Sequence, residues 1–167
     1  SVPLAALGRS ERAGVFYPLQ TFTKGFLPDL KKVPFFIEAT DKYSRDVLRE
    51  LGGSIGAGAW DCDSEKRKHL HVAAVFANNF SNFMMTTAEV IASDAGFDPS
   101  LLHPLIEETA RKALRTGPAR AQTGPAVRHD DTTMKSHLDL LSFSPEYQKL
   151  YRMISRMIAG HYKNSNR

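Results

Sequence analysis

Short apolar runs open the chain and give way to long helical periodicities from about residue 63 onward. Val15-Phe16-Tyr17 and Pro34-Phe35-Phe36-Ile37 are compact β-branched and aromatic stretches, bounded by Gly14, Pro18 and Pro34, and are predicted strands. Thr40-Asp41 can cap a helix over 42–51 that gathers Tyr43, Val47, Leu48 and Leu51 on one face. Gly52-Gly53 is expected to stop it, and a weaker strand follows over 54–60. Strand, helix, strand at this spacing predicts a parallel α/β unit with a thin sheet.

Everything after Asp63 is predicted helical. Asp63 or Ser64 caps a long helix to about residue 95, which Gly96 ends. Asp98-Pro99 opens the next, to about residue 115, with a kink or restart at Pro104. Two Gly-Pro pairs mark a loop, Asp130 or Asp131 caps a helix to Leu141, and Ser144-Pro145-Glu146 starts the last, to about Ala159. A disordered tail is expected only over 163–167.

The long helix has an unusual polar face. At roughly 100° per residue, Val72, Phe76, Phe80 and Phe83 cover one side and Ala73, Ala77, Met84 and Ala88 another. The remaining stripe holds His71, Val75, Asn78, Asn82 and Glu89. A solvated face would carry Lys, Glu or Arg; an imidazole and two amides point to a buried or cleft-lining position. Two readings stay open. His71 can be a proton donor or acceptor with Asn78 and Asn82 orienting a substrate, or the stripe is a satisfied polar seam against a neighbouring loop. The His, Asp and Glu spacings close no metal-ligand set, so no metal is expected.

The segment Gln122-Thr123-Gly124-Pro125-Ala126-Val127-Arg128-His129-Asp130-Asp131 places an arginine beside a helix N-terminus. Guanidinium and free amides together can bind an anion. The alternative is a connector whose Arg128 pairs with Asp130 or Asp131.

The net charge of +4 invites a nucleic-acid reading, but the cations are scattered among acids. The densest run, Lys66-Arg67-Lys68, follows Asp61, Asp63 and Glu65 and reads as a solvated helix end. Cys62 is the single cysteine, so no intrachain disulfide forms and a reducing, cytoplasmic setting is expected. It reads as a small semi-buried filler. No signal peptide opens the chain, and the longest uncharged stretch, 70–88, is too polar to span a membrane. Gly52-Gly53-Ser54-Ile55-Gly56-Ala57-Gly58 follows a helix, so it is read as a turn and strand, not a phosphate loop.

Taken in order, His71-Val72-Ala73-Ala74-Val75-Phe76-Ala77-Asn78-Asn79, Thr123-Gly124-Pro125-Ala126-Val127-Arg128-His129-Asp130 and His137-Leu138-x-x-Leu141 resemble a bacterial family. Its members join a Rossmann-like domain to a C-terminal helical domain of unknown function, number 2520. Ser1-Val2-Pro3-Leu4 and Gly14-Val15-Phe16-Tyr17-Pro18-Leu19-Gln20-Thr21-Phe22 also resemble that family's later Rossmann segment. One departure stands out: His129 occupies a position where the family usually has Gly.

The resemblance implies an α+β, mostly helical chain, with 1–63 the remaining strands and helices of a Rossmann-like domain and 64–167 a helical substrate and dimerisation domain. It implies that about a hundred residues, including the glycine-rich dinucleotide loop, normally precede Ser1, so the chain would be a fragment unable to hold NAD(P) by itself. More distantly the arrangement is similar to ketopantoate reductase, pyrroline-5-carboxylate reductase and the 6-phosphogluconate dehydrogenase-like enzymes. The expectation is an NAD(P)-dependent oxidoreductase acting on a small anionic substrate, and a homodimer. His71 and Asn78 would be catalytic, and Arg128, Asn82, Thr123 and Gly124 would bind substrate. The alternative is a non-catalytic binding or dimerisation module on a reductase-like scaffold.

Overall fold

The computed structural model describes residues 2–8, 11–56 and 58–163, as two compact units dividing at Ile91 and Ala92. The division falls inside the long helix, whereas the last strand ends at Asp61. The expected tail past Lys163 lies outside the described residues.

The first unit holds a three-stranded sheet in the order β1 (Gly14–Pro18), β2 (Phe35–Ala39), β3 (Ala59–Asp61). β1 runs antiparallel to β2, with Phe16 opposite Ile37, and β2 runs parallel to β3, with Phe36 opposite Trp60. The expected parallel unit is therefore β2, α1 (Lys42–Ser54) and β3. Along β2 the side chains alternate: Phe35 and Ile37 are buried, and the ring of Phe35 stacks on Phe16 at 4.5 Å. Asp41 caps α1 by accepting from the backbone N–H of Ser44.

Gly52-Gly53 does not stop α1, and the third strand is shorter than the sequence suggests. Gly52 is a contact residue: a β-carbon there would lie 2.8 Å from Ala59 Cβ, too close to exist. Gly14 meets Leu48 in the same way, at 2.6 Å. The bare backbones let α1 approach the sheet closely. The turn is made instead by Gly56 and Gly58, both at positive φ.

A continuous helical segment follows: α2 (Ser64–Ala74), a π-turn (Val75–Phe80) and α3 (Ser81–Asp94). Asp63 caps it, accepting from Lys66 N–H at 2.8 Å. Gly96 terminates it at φ +80. The reading of Lys66-Arg67-Lys68 as a solvated end fails at its middle residue. Arg67 is wholly buried and donates to Glu38 (2.8 Å), to the carbonyls of Cys62 and Val2, and to Ser64 Oγ.

In the second unit a 3-10 turn over Pro99–Leu102 precedes α4 (His103–Thr116), and Pro118–Ala121 forms the short α5 inside the expected Gly-Pro loop. α6 (Asp131–Leu140) is capped by Asp130, and a 3-10 turn over Leu141–Phe143 leads to α7 (Pro145–Lys163). His137 Nδ1 meets Tyr151 Oη at 2.8 Å, and Gln148 donates to the carbonyl of Leu138, tying α6 to α7. Among the described residues no helix is long and apolar enough to cross a membrane.

Candidate functional site

β1 ends at Pro18, which cannot donate to a sheet ladder, and the chain leaves past the start of the long helix. Leu19 N–H is secured to the carbonyl of Pro34 at 2.9 Å. A cleft of about 380 Å³ opens there. Tyr17, Gln20 and Thr21 form one wall; His71, Asn78 and Asn79 supply the polar groups of the other. Among the described residues no Asp, Glu, Lys or Arg lines it. Its volume is at the lower end of the range for small-molecule sites.

Tyr17 Oη and His71 Nδ1 are 3.2 Å apart, with the rings edge to face. A hydrogen bond at Nδ1 fixes the imidazole's orientation and influences which nitrogen carries the proton. Nε2 has no partner among the described residues.

The geometry around Asn78 differs from the two regular α-turns that a seven-residue spacing implies. The π-turn inserts an extra residue into the helical ring, and Ser81 Oγ donates to the carbonyl of Phe76 at 3.2 Å, five residues back. Widening of this kind lets Ala77, Asn78 and Asn79 all line the cleft. Both asparagine side chains are exposed and neither amide has a partner among the described residues. The satisfied polar seam is thus not the arrangement found at Asn78. Asn82, one turn on, is exposed and outside the cleft lining.

Arg128, Thr123 and Gly124 belong to the second unit. Gly124 takes φ +113, and Arg128 N–H reaches its carbonyl at 3.4 Å. Arg128 is exposed and forms no ion pair with a described carboxylate, so the connector alternative, pairing with Asp130 or Asp131, is not realised. Asp130 instead caps α6. The hydroxyl and backbone N–H of Thr133 hold its carboxyl below the usual range, with a smaller contribution from Arg128's charge. His129 has φ 54, the left-handed conformation that Gly adopts freely and other residues rarely. A non-Gly residue held there carries local backbone strain.

Cys62 is buried, and that burial pushes its thiol above the usual range despite the pull of Arg67. An inert filler fits this better than a nucleophile.

Sequence reasoning missed Tyr17, Gln20, Thr21 and Asn79 as cleft residues. Tyr17 sits in a strand whose aromatic run looks like core, and Gln20-Thr21 look like ordinary loop. The available signal for Gln20 and Thr21 was their position directly after a strand that Pro18 must end.

The chain is thus α+β and mostly helical, a small Rossmann-like segment leading into helices. It belongs to the family defined by the domain of unknown function DUF2520, which matches residues 33–158. The crystal structure of the "putative NADP oxidoreductase BF3122" of Bacteroides fragilis is similar over 96% of this chain, at 40% identity and a TM-score of 0.90. The chain spans 62% of that protein. Protein TM1727 of Thermotoga maritima has the same fold, with 22% identity and a TM-score of 0.80 over 99% of this chain and 67% of that one. None of the curated proteins matches.

Proposed function

We propose that this chain is the substrate-side part of an NAD(P)-dependent oxidoreductase acting on a small anionic substrate, within a cytoplasmic homodimer. The observation that carries the reading is the uncharged cleft, in which Tyr17 engages His71 while Asn78 and Asn79 keep unpaired amides. The Bacteroides relative named for NADP oxidoreduction shares this scaffold.

The residues described here do not supply a pyrophosphate cradle: β2 enters α1 through Thr40 and Asp41 rather than a glycine loop. The cleft is fitted to a small neutral group and the reacting end of a substrate. The nicotinamide, when bound, supplies or accepts the hydride. His71 holds a proton at Nε2 that a carbonyl or imine of the substrate can take, and Tyr17 keeps the ring aimed. Asn78 and Asn79 orient the substrate by hydrogen bonds. In the second unit Arg128, with Thr123 and Gly124 shaping its loop, is the candidate binder of a carboxylate or phosphate. A purely dimerising module is the second reading, favoured by the apolar side chains left exposed along the long helix.

The test uses the full-length protein, titrated with NADPH and NADH by fluorescence and screened against keto acids and cyclic imines. His71→Ala is expected to lower turnover about 100-fold, and Tyr17→Phe about tenfold, as loss of a general acid and of its orienting partner. Arg128→Ala should raise KM for anionic substrates while leaving kcat nearly unchanged. No nicotinamide binding, or full activity in His71→Ala, would sink the proposal.

A further inference from the structure

A second concavity, of about 340 Å³, lies wholly within the second unit between α6 and α7. Its interior is apolar, with Met134 and Leu138 from α6 and Ala159 and the Tyr151 ring from α7. Its edges are cationic: Lys135 on α6, and Arg152 and Arg156 on α7. The two arginines are four residues apart, so they project from one helix face. Asp131 is the single acid among the described residues of the lining, against Lys135, Arg152 and Arg156.

No described carboxylate pairs with these cations. Asp131 lies four residues before Lys135, the spacing that favours a helical ion pair. No such pair forms, and neither arginine pairs with a described carboxylate. Elsewhere in this unit Arg111 pairs with both Glu107 and Glu108. His129 also faces this groove, from the left-handed backbone position described above. Three cations with no described carboxylate partner around an apolar floor form a site with two kinds of affinity, one for an anion and one for an apolar body.

We propose that the groove between α6 and α7 binds a small amphiphilic anion, a short hydrocarbon chain or ring ending in a carboxylate or phosphate. Lys135, Arg152 and Arg156 take the head group, with the guanidinium forks suited to bidentate contact, and Met134 and Leu138 receive the hydrocarbon. The site shares no residue with the cleft at His71, and its test needs no enzymatic activity.

Calorimetry on this chain would compare hexyl phosphate, hexanoate, inorganic phosphate and hexanol at constant ionic strength. Hexyl phosphate or hexanoate should bind at least about tenfold more tightly than inorganic phosphate or hexanol, since each of those lacks one half of the recognition. The tighter of the two amphiphiles identifies the head group. The double variant Arg152→Gln/Arg156→Gln should weaken that binding about tenfold or more, and Asp131→Asn should strengthen it. Lys135→Gln gives an independent reading from the other helix should the double variant fold poorly. Equal affinity for hexanol and hexyl phosphate, or for inorganic and hexyl phosphate, would overturn the proposal. So would unchanged binding in folded Lys135→Gln and double variants.

Discussion

Arg67 and Glu38 meet at 2.8 Å in the first unit, with the arginine side chain wholly shielded from solvent and the glutamate 18% exposed. Through this one guanidinium, α2 is bonded to the sheet and to the backbone near the start of the chain, at the carbonyl of Val2. Glu38 completes the junction by accepting from both the backbone N–H and the hydroxyl of Ser64.

Arg67→Met should be strongly destabilising, because it leaves the carboxylate without its charged partner and the carbonyls of Cys62 and Val2 without the guanidinium's hydrogen bonds. The expected loss is about 3 kcal/mol, or on the order of 10 °C in Tm. Adding Glu38→Leu should restore part of it, since removing both partners is milder than stranding one. Thermal melts of wild type, single and double variants check this; a double variant less stable than Arg67→Met would contradict it.

The same junction gives a pH dependence. Burial pushes the Glu38 carboxyl up, but hydrogen bonds from Ser64 and Arg67 together outweigh it, and the group titrates below the usual glutamate range. A carboxyl depressed in the folded state contributes stability that is complete above its unfolded value, about 4.3, and is lost as pH falls through its folded value. Denaturant midpoints should thus decline below about pH 5, and Glu38→Gln should flatten that decline. An identical slope in wild type and variant would remove Glu38 from the account.

Local chemistry made much of this legible, and distant pairing did not. Asp41, Asp63 and Asp130 each cap a helix within three residues of themselves, so the sequence marks those helix starts. Arg67 reads like Lys66 and Lys68 because its partner Glu38 is 29 residues away in another element. The π-turn was invisible for a similar reason. Periodicity supposes a regular ring, whereas Ser81 bonding back to Phe76 marks an interrupted one. Tyr17 was hidden in a strand pattern until the helix carrying His71 was seen beside it.

Gly52 and Gly53 separate packing from propensity. A β-carbon at Gly52 would meet Ala59 Cβ at 2.8 Å and the Gly58 carbonyl oxygen at 3.2 Å, while at Gly53 it would meet nothing within 4 Å. Gly52→Ala should cost about 1–3 kcal/mol from overpacking, partly offset by better helix propensity. Gly53→Ala should stabilise by roughly 0.5–1 kcal/mol, since it gains the propensity without the collision. Urea titrations of the two variants should move in opposite directions; a shift of the same sign would refute the distinction.

The exposed face of the long helix leads to an expected dimer. Val72, Phe76, Phe80 and Phe83 follow one another at intervals of three or four residues and remain between 48% and 61% exposed. Phe76 and Phe80 already pack edge to face at 4.8 Å, so part of a continuous apolar ridge is preformed. Met153 and Met157, four residues apart on α7, are a further exposed apolar pair. Covering four large side chains of this kind in each copy removes apolar surface from water and favours association against the entropy of bringing two copies together. Sedimentation at about 100 μM should show a dimer. Phe76→Asp combined with Phe83→Asp should give a monomer, because a charge on each ring position must then be desolvated at the interface. Both rings are already exposed in the single chain, so helicity by circular dichroism should survive the double change. A wild-type chain that stays monomeric at that concentration, or a double variant that still dimerises, would show that this face is not the contact between copies.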